Sequence, residues 1–158
     1  MRKRRINPDY LVRITGMDVK NEPIDSLDLA LSIKRFANEY LAGIVNVSIE
    51  GKSEGKVGLK LSVVSYLIRL ISMSTEDGTV DLTVSLGENL KIDARFDYMP
   101  SVDDTVDIIN AAKLSGFEVS REDNTLSFTA KVIGSRIMQV YAASSDEFYD
   151  LLVLTYKM

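Results

Sequence analysis

The chain has 158 residues, of which 46% are hydrophobic, and it carries a formal net charge of −4 at pH 7. This length suits one domain whose core buries about two-thirds of the surface of the unfolded chain. The sequence has neither histidine nor cysteine, which excludes disulfides, thiolate chemistry, the usual zinc ligands and histidine-assisted nucleophiles.

The charge is unevenly distributed along the chain. Four of the 19 Lys and Arg residues lie at positions 2–5, so the remaining 15 oppose 23 acidic residues and the rest of the chain carries −8. An acidic surface does not neutralise phosphates, so we expect no nucleic acid partner. We interpret residues 1–8 as a disordered basic N-terminus, with contact to nucleic acid or to an anionic surface as the alternative.

The sequence also lacks membrane signals. No apolar run approaches 18 residues, and the basic start is followed by Asn7, Pro8 and Asp9 instead of an apolar segment. We therefore expect no membrane span, no membrane partner and no secretory signal. Together with the absence of cysteine, this favours a cytoplasmic location.

The first part of the chain predicts alternating strands and helices. Alternation over Tyr10–Thr15 predicts a strand. A helix is predicted to run to about Ala42, and either Asp25 or Ser26 can cap its start. Ile44–Ile49 alternates again, which predicts a half-buried strand.

The next segment combines a loop with an apolar helix. Residues 51–58 are polar and predict a loop, whereas Leu59–Met73 is apolar on nearly all sides and predicts a helix buried between layers. The alternation from Val57 to Val63 leaves open that this segment begins as a strand.

A β-hairpin is the clearest pattern in the chain. Val80–Leu86 and Leu90–Phe96 alternate apolar with polar residues, and Gly87-Glu88-Asn89 forms the turn between them. The returning strand runs directly into a second turn, Asp97-Tyr98-Met99-Pro100-Ser101.

A helix is predicted after this turn. Ser101 can cap its start and Gly116 can end it. Its inward face is predicted to consist of four apolar residues, Val106, Ile109, Ala112 and Leu114.

The remaining elements complete the predicted fold. Phe117–Ser120 and Thr125–Val132 predict a second hairpin, Arg136–Ala142 a further strand, and Ser144–Tyr156 a last helix. The order β-α-β-α-β-β-α-β-β-(β)-α predicts a two-layer α/β sandwich, with a mixed, mostly antiparallel sheet and helices on one face. We interpret 9–158 as a single α/β sandwich domain in which 136–158 is a C-terminal strand–helix extension.

From about Ser26 to Val132 this order resembles the GHKL ATPase fold, in particular the ATP-binding domain of sensor histidine kinases and anti-sigma-factor kinases. Three segments carry the resemblance: Val63–Ser74 followed by an alternating strand, the turn at 97–101 where the family has D-x-G-x-G, and the apolar helix before the second hairpin. The resemblance implies a histidine-kinase ATPase-like scaffold and a role in bacterial signalling.

The sequence departs from the family where the nucleotide would bind. The family's Mg²⁺-ligating Asn is missing from Val63–Ser74, and the nearest positions by register are Tyr66 and Leu70, neither of which holds a hard cation. Asp97 stands where the family's Asp accepts from adenine, but Met99 and Ser101 replace the glycines.

The resemblance therefore leaves Asp97, Tyr66 and Met99 as the remnant of a nucleotide pocket, in which Met99 would fill the adenine space. The family's phosphate loop and ATP lid are also absent, because only 102–104 separate the turn from the next helix. Two of these residues, Asp103 and Asp104, would repel phosphates. We expect no cofactor and, in particular, no tight binding of Mg²⁺-ATP.

Two features of the sequence allow more than one interpretation. Asp97 can be a turn-forming residue instead of a retained adenine acceptor. The C-terminal aromatic residues can form an exposed interface or close the core; they are Tyr141, Phe148, Tyr149 and Tyr156.

We expect a non-catalytic regulatory or protein-interaction module on a degenerate scaffold of this kind, whose partner is another protein or a second copy of the chain. The alternative is a nucleotide-binding ATPase or protein (anti-sigma) kinase with an altered site. A third hypothesis is a homo-oligomeric structural domain that uses 136–158 as its interface.

Overall fold

A computed structural model describes residues 22–53, 55–75, 78–133 and 142–158. The predicted basic N-terminus and the predicted strand at Tyr10–Thr15 lie outside the described residues, as do all but the last residue of the strand predicted at Arg136–Ala142.

Within these ranges the chain forms seven strands and four helices. They are β1 (Glu22–Asp25), α1 (Ser26–Tyr40), β2 (Val45–Gly51), β3 (Lys56–Leu59), α2 (Leu61–Met73), β4 (Val80–Leu86), β5 (Asn89–Phe96), α3 (Val102–Ser115), β6 (Glu118–Glu122), β7 (Thr125–Lys131) and α4 (Ser145–Lys157). None of the described helices is long and apolar enough to cross a bilayer.

The main sheet has five strands in the order β2-β4-β5-β7-β6. β2 runs parallel to β4, and the other neighbours are antiparallel. Inward residues of β4 and β5, such as Val84 and Ile92, are buried, whereas the residues between them are polar. The predicted α/β sandwich with a mixed, mostly antiparallel sheet is thus confirmed, as are both predicted hairpins.

Helix α2 lies at the centre of the core. Every residue from Leu61 to Ile68 is buried, and α2 contacts both α3 and α4. This confirms the prediction of a helix buried between layers. A helix that is apolar on all sides is stable in water only when other elements cover each of those sides.

Polar contacts attach α4 to α2. The hydroxyls of Ser65 and Thr155 form a buried hydrogen bond of 3.0 Å. The Arg69 guanidinium donates to the carbonyls of Thr155 (2.5 Å) and Met158 (3.0 Å). These carbonyls lie at the C-terminal end of α4, where a positive charge is favourable.

The loop predicted at 51–58 is shorter than expected. Lys56–Leu59 forms β3, which pairs antiparallel with β1 so that Glu22 lies opposite Leu59. Both apolar side chains of β3, those of Val57 and Leu59, are fully buried. The prediction was wrong here because β1 supplies a pairing partner that the local composition of 51–58 does not reveal.

The start of α1 also differs from its prediction. Asp25 occupies the N-cap position but makes no side-chain capping bond. Ser26 instead donates from its Oγ atom (3.0 Å) and its main-chain N–H (3.1 Å) to the carbonyl of Gly55. These bonds fix the start of the helix to the segment before β3.

Helix α3 has the predicted ends but a different buried face. Ser101 Oγ accepts from the N–H of Asp104 at 3.2 Å, and Gly116 ends the helix with φ +114°. Val106 and Leu114, however, are 47% and 40% exposed. The buried residues of α3 are Thr105, Ile108, Ala111, Ala112 and Ser115.

Three of the five buried residues of α3 are small, and Ile108 is the large apolar side chain among them. Ala111, Ala112 and Ser115 allow the backbone of α3 to lie close to its neighbours. The two hydroxyls on this face are satisfied locally, since Thr105 donates to Pro100 (3.3 Å) and Ser115 donates to Ala111 (2.8 Å). Polar residues can therefore be buried while larger apolar ones face outward.

We predict that Ile108→Ala costs about 2–5 kcal/mol of unfolding free energy, because it leaves a cavity in the core. Leu114→Ala, which removes a similar volume from the same helix, should cost less than about 1 kcal/mol, because the side chain is partly exposed. Urea unfolding of both variants measures the difference. Equal losses would contradict the observed orientation of α3.

Candidate functional site

A cleft of about 460 Å³ lies beside the turn that follows β5. One wall comes from the end of α2 and the segment before β4, and the other comes from the turn and the start of α3. The residues that line it are Ser74, Thr75, Gly78, Thr79, Tyr98, Met99, Pro100, Ser101 and Asp104.

Asp97 connects the two walls. Its Oδ2 atom accepts from the main-chain N–H of Thr79 at 3.0 Å and from the Thr79 hydroxyl at 2.9 Å. The main-chain N–H of Asp97 in turn donates to the Thr79 carbonyl at 3.1 Å. The Asp97 carboxylate thus already accepts two hydrogen bonds from the protein itself, which supports its turn-forming role.

These bonds favour the ionised form of Asp97. The bond from the Thr79 N–H has the largest effect on the pKa of this carboxyl, followed by the bond from the Thr79 hydroxyl, and both hold it below its usual value. The nearby charge of Arg95 acts in the same direction. The group is therefore an acceptor at neutral pH and not a proton donor.

Gly78 permits the close approach of the two walls. A Cβ atom at this position would lie 3.2 Å from Asp97 Cβ and 3.2 Å from Tyr98 Cδ2. Either neighbour would have to move to accommodate a larger residue. Because Gly78 has no side chain, the segment before β4 can lie close against the turn.

The three residues proposed from sequence as a remnant pocket lie in two places. Asp97 and Met99 share the turn, and Met99 both lines the cleft and packs against the core. Tyr66 is only 8% exposed, lies on α2 within the core and is not among the residues that line the cleft. A nucleotide-binding role for these residues stays a prediction.

Sequence reasoning missed Thr79 as the partner of Asp97. A signal was present, because the predicted hairpin pairs Val80 with Phe96 and the next pair outward is Thr79 with Asp97. Ser74 and Thr75 could not be found in this way, since only the packing of α2 brings its end to the cleft.

The electrostatics of the cleft do not suit a polyphosphate. None of the described residues that line it is Lys or Arg, and the one ionisable carboxylate among them is Asp104. The N–H of Asp104, at the start of α3, is already bonded to Ser101. A phosphate chain would meet negative charge and a capped helix end, so the described residues of the cleft do not fit Mg²⁺-ATP.

The open face of the main sheet is a second polar surface. It forms a shallow depression of about 810 Å³ in which side chains on neighbouring strands bond to each other. Asn46 donates to Asp81 at 3.1 Å, and Ser127 donates to Asp93 at 2.5 Å. Cross-strand pairs of this kind stabilise a sheet, and they account for the polarity of this face without a ligand.

The C-terminal aromatic residues divide between core and surface. Phe148 and Tyr149 are buried, whereas Tyr156 is 41% exposed and contacts the rings of Phe36 and Tyr40. Tyr141 lies outside the described residues. Most of this cluster therefore attaches α4 to α1, as does the hydrogen bond from the Tyr149 hydroxyl to Glu39.

Comparisons with known proteins gave matches among solved structures alone. No protein-family model matches the chain, and no curated protein matches it. The catalytic domain of histidine kinase ThkA is 8% identical, with a TM-score of 0.47, over 72% of this chain and 96% of that one. Histidine kinase AdeS of Acinetobacter baumannii is 14% identical, with a TM-score of 0.43, over 79% of this chain and 73% of that one.

The ATP binding domain of PrrB from Mycobacterium tuberculosis is 11% identical, with a TM-score of 0.42, over 73% of this chain and 98% of that one. The matched domains are of the class that the sequence resembles. What the cleft of this chain binds depends on its own residues.

We predict that Thr79→Val raises the pKa of Asp97 only part of the way to its usual value of about 3.9, because the main-chain N–H still donates. The folded-state pKa is depressed, so these bonds stabilise the fold above the unfolded pKa, and the contribution is lost as pH falls through the folded pKa. NMR titration of the carboxyl measures the shift.

Urea unfolding at several pH values gives the matching stability result. Thr79→Val should be destabilising at neutral pH, and its difference from the natural chain should shrink below about pH 4. In the Asp97→Asn background, Thr79→Val should produce no such pH dependence. A difference that persists in that background would show that the hydroxyl acts on another group.

Proposed function

We propose that this protein is a non-catalytic regulatory module that acts by protein contact, on a histidine-kinase-type ATPase scaffold whose nucleotide site is degenerate. The observation that carries the proposal is the composition of the cleft, in which Asp104 is the one ionisable carboxylate and no described lining residue is basic.

The arrangement of the turn supports the same proposal. The bonds from Thr79 already engage Asp97, and the Met99 side chain lines the cleft next to it. On the side of α2, the described cleft residues are Ser74 and Thr75, whose hydroxyls are weak ligands for a hard cation compared with carboxylates. Phosphoryl transfer needs a bound metal and positive charge around the phosphates.

A regulatory role is consistent with what the scaffold retains. The sheet, the buried α2 and the capped α3 form an ordered domain that can present a fixed surface to a partner. We infer that the partner is another protein or a second copy of this chain, and that the setting is bacterial signalling, as the resemblance of the sequence implies.

One observation favours the second candidate, a nucleotide-binding ATPase or protein kinase with an altered site. The cleft next to Asp97 is open and about 460 Å³ in volume, which is within the size range of small-molecule sites. Hydrolysis of ATP above background by the purified chain, measured as phosphate release, would support this candidate.

We predict that isothermal titration of the full chain with Mg²⁺-ATP gives only the heat of dilution, because the described residues of the cleft offer phosphates no cation. Micromolar binding that disappears in Asp97→Asn would contradict the proposal. Asp150→Asn is the matched control, since it removes the same charge from an exposed position on α4, a helix that contributes none of the described residues lining the cleft.

A further inference from the structure

The five-stranded sheet ends in β2 on one side and in β6 on the other, and β2 has open main-chain groups. The Val80 N–H donates to the Ile44 carbonyl at 2.9 Å, and Val45 lies opposite Val80. Because alternate residues of a parallel strand bond to its neighbour, the N–H and C=O groups of Val47 and Ile49 point away from β4. No described residue bonds to these groups.

The two edge strands differ in how well they are protected against pairing with another chain. β6 is five residues long, and three of these residues are charged, namely Glu118, Arg121 and Glu122. β2 is seven residues long, has Glu50 as its one charged residue and contains neither Lys nor Pro. Charged residues, Pro and short length are the usual protection of an edge strand. The composition of β2 therefore favours pairing with a further strand.

The helix that covers β2 exposes apolar residues at the same edge of the molecule. The helices contact one another in the order α1, α4, α2, α3, and α1 lies on β2. Phe36 of α1 faces α4, because its ring contacts that of Tyr156. Leu27 and Leu31 lie nine and five positions before Phe36, about 180° and 140° around the helix. They therefore point away from α4, towards the β2 edge, and they are 43% and 47% exposed.

The apolar surface continues from α1 onto β2. Val47 and Ile49 are half-buried, whereas the residues opposite them on β4, Leu82 and Val84, are fully buried. The difference arises because β2, within the part of the chain that the structure describes, has a neighbouring strand on one side only. Lys34 lies on the same side of α1 as the exposed leucines, and its long stem can cover apolar surface while its charge stays in water.

The sequence of β2 is complementary to itself in an antiparallel arrangement. A two-fold axis at Ser48, the middle residue of the strand, places Val47 opposite Ile49 of the second copy. These two residues can then exchange both main-chain hydrogen bonds through the groups that point away from β4. Their side chains extend the apolar surface from one copy to the other.

Polar side chains on the open face of the sheet match about the same axis. Asn46 comes to lie opposite Glu50 of the second copy. The Asn46 amide donates one hydrogen bond to Asp81 at 3.1 Å. An amide has two N–H groups, so the other one can donate to the Glu50 carboxylate.

The charges also favour self-pairing of β2 over self-pairing of β6. About the axis at Ser48 the two Glu50 residues are four positions apart along the strands, which is about 14 Å. This distance exceeds the Debye length of about 8 Å at physiological ionic strength. The equivalent axis on β6, at Ser120, places Glu118 directly opposite Glu122 of the second copy, which is destabilising.

We propose that two copies of this chain pair antiparallel along β2, so that their five-stranded sheets join into one and Leu27 and Leu31 of both copies pack beside the joined strands. The inference deepens the proposed function and rests on it, because it takes a second copy as the protein partner. It names β2 and the adjacent side of α1 as the surface through which the copies contact each other.

Sedimentation velocity of the full chain over a range of concentrations tests the proposal. We expect a monomer–dimer equilibrium whose Kd rises about tenfold in Val47→Lys, because the substitution places a charge against the strand of the second copy. Val119→Lys is the matched control, since it makes the same change at a half-buried position of the other edge strand. It should leave the equilibrium unchanged, and circular dichroism verifies that both variants are folded.

Disulfide trapping tests the register at an exposed position, in a chain that has no cysteine of its own. Ser48 faces Ser48 of the second copy at a non-hydrogen-bonded position, where the Cα atoms are about 4.5 Å apart. A disulfide can span this distance. Under mild oxidation Ser48→Cys should form a linked dimer about tenfold faster than Ser120→Cys, the exposed middle residue of β6.

Three outcomes would overturn the proposal: equal trapping rates in the two Cys variants, a natural chain that stays monomeric at every concentration, and a dimer that Val119→Lys dissociates while Val47→Lys does not. Failure of the proposed function is a separate result. Binding of Mg²⁺-ATP in the titration would contradict the non-catalytic role, whereas a monomer that binds no Mg²⁺-ATP would overturn the pairing of β2 alone.

Discussion

The fold depends on covering a helix that is apolar on every side. α2 buries all of its residues from Leu61 to Ile68, and α3 and α4 both lie against it. Removing either of them would expose apolar area, at a cost of about 25 cal/mol for each Å². The hydrogen bonds of Arg69 and Ser65 to the end of α4 then give this packing a defined register.

The burial of α2 also limits which of its residues can line the cleft. Residues of α2 that contribute to the core cannot also supply ligands to a bound metal, and Tyr66 is an example, since it is buried among apolar neighbours. What α2 brings to the cleft is its end, Ser74 and Thr75. The other wall is held in place by Asp97 and Thr79, whose hydrogen bonds join the two walls of the cleft.

Helix α3 contributes to both the core and the cleft, through different faces. Its small residues and local hydroxyl bonds allow it to pack closely inward, and its capped first turn carries Asp104, the acidic residue among the described residues of the cleft. Because the close-packed face uses Ala111, Ala112 and Ser115, larger side chains such as Val102 and Val106 remain outside. The surface chemistry of α3 is thus a consequence of how it packs.

The sequence by itself determined the features whose cause is local. Alternation predicted both hairpins, capping chemistry predicted the ends of α3 at Ser101 and Gly116, and uniform apolarity predicted that α2 is buried. Only the tertiary structure decided that β3 pairs with β1, that α3 turns Ala111 inward and Val106 outward, and that Tyr66 lies in the core away from the cleft. These outcomes depend on partners distant along the chain, and periodicity in one segment carries no information about which partner will cover it.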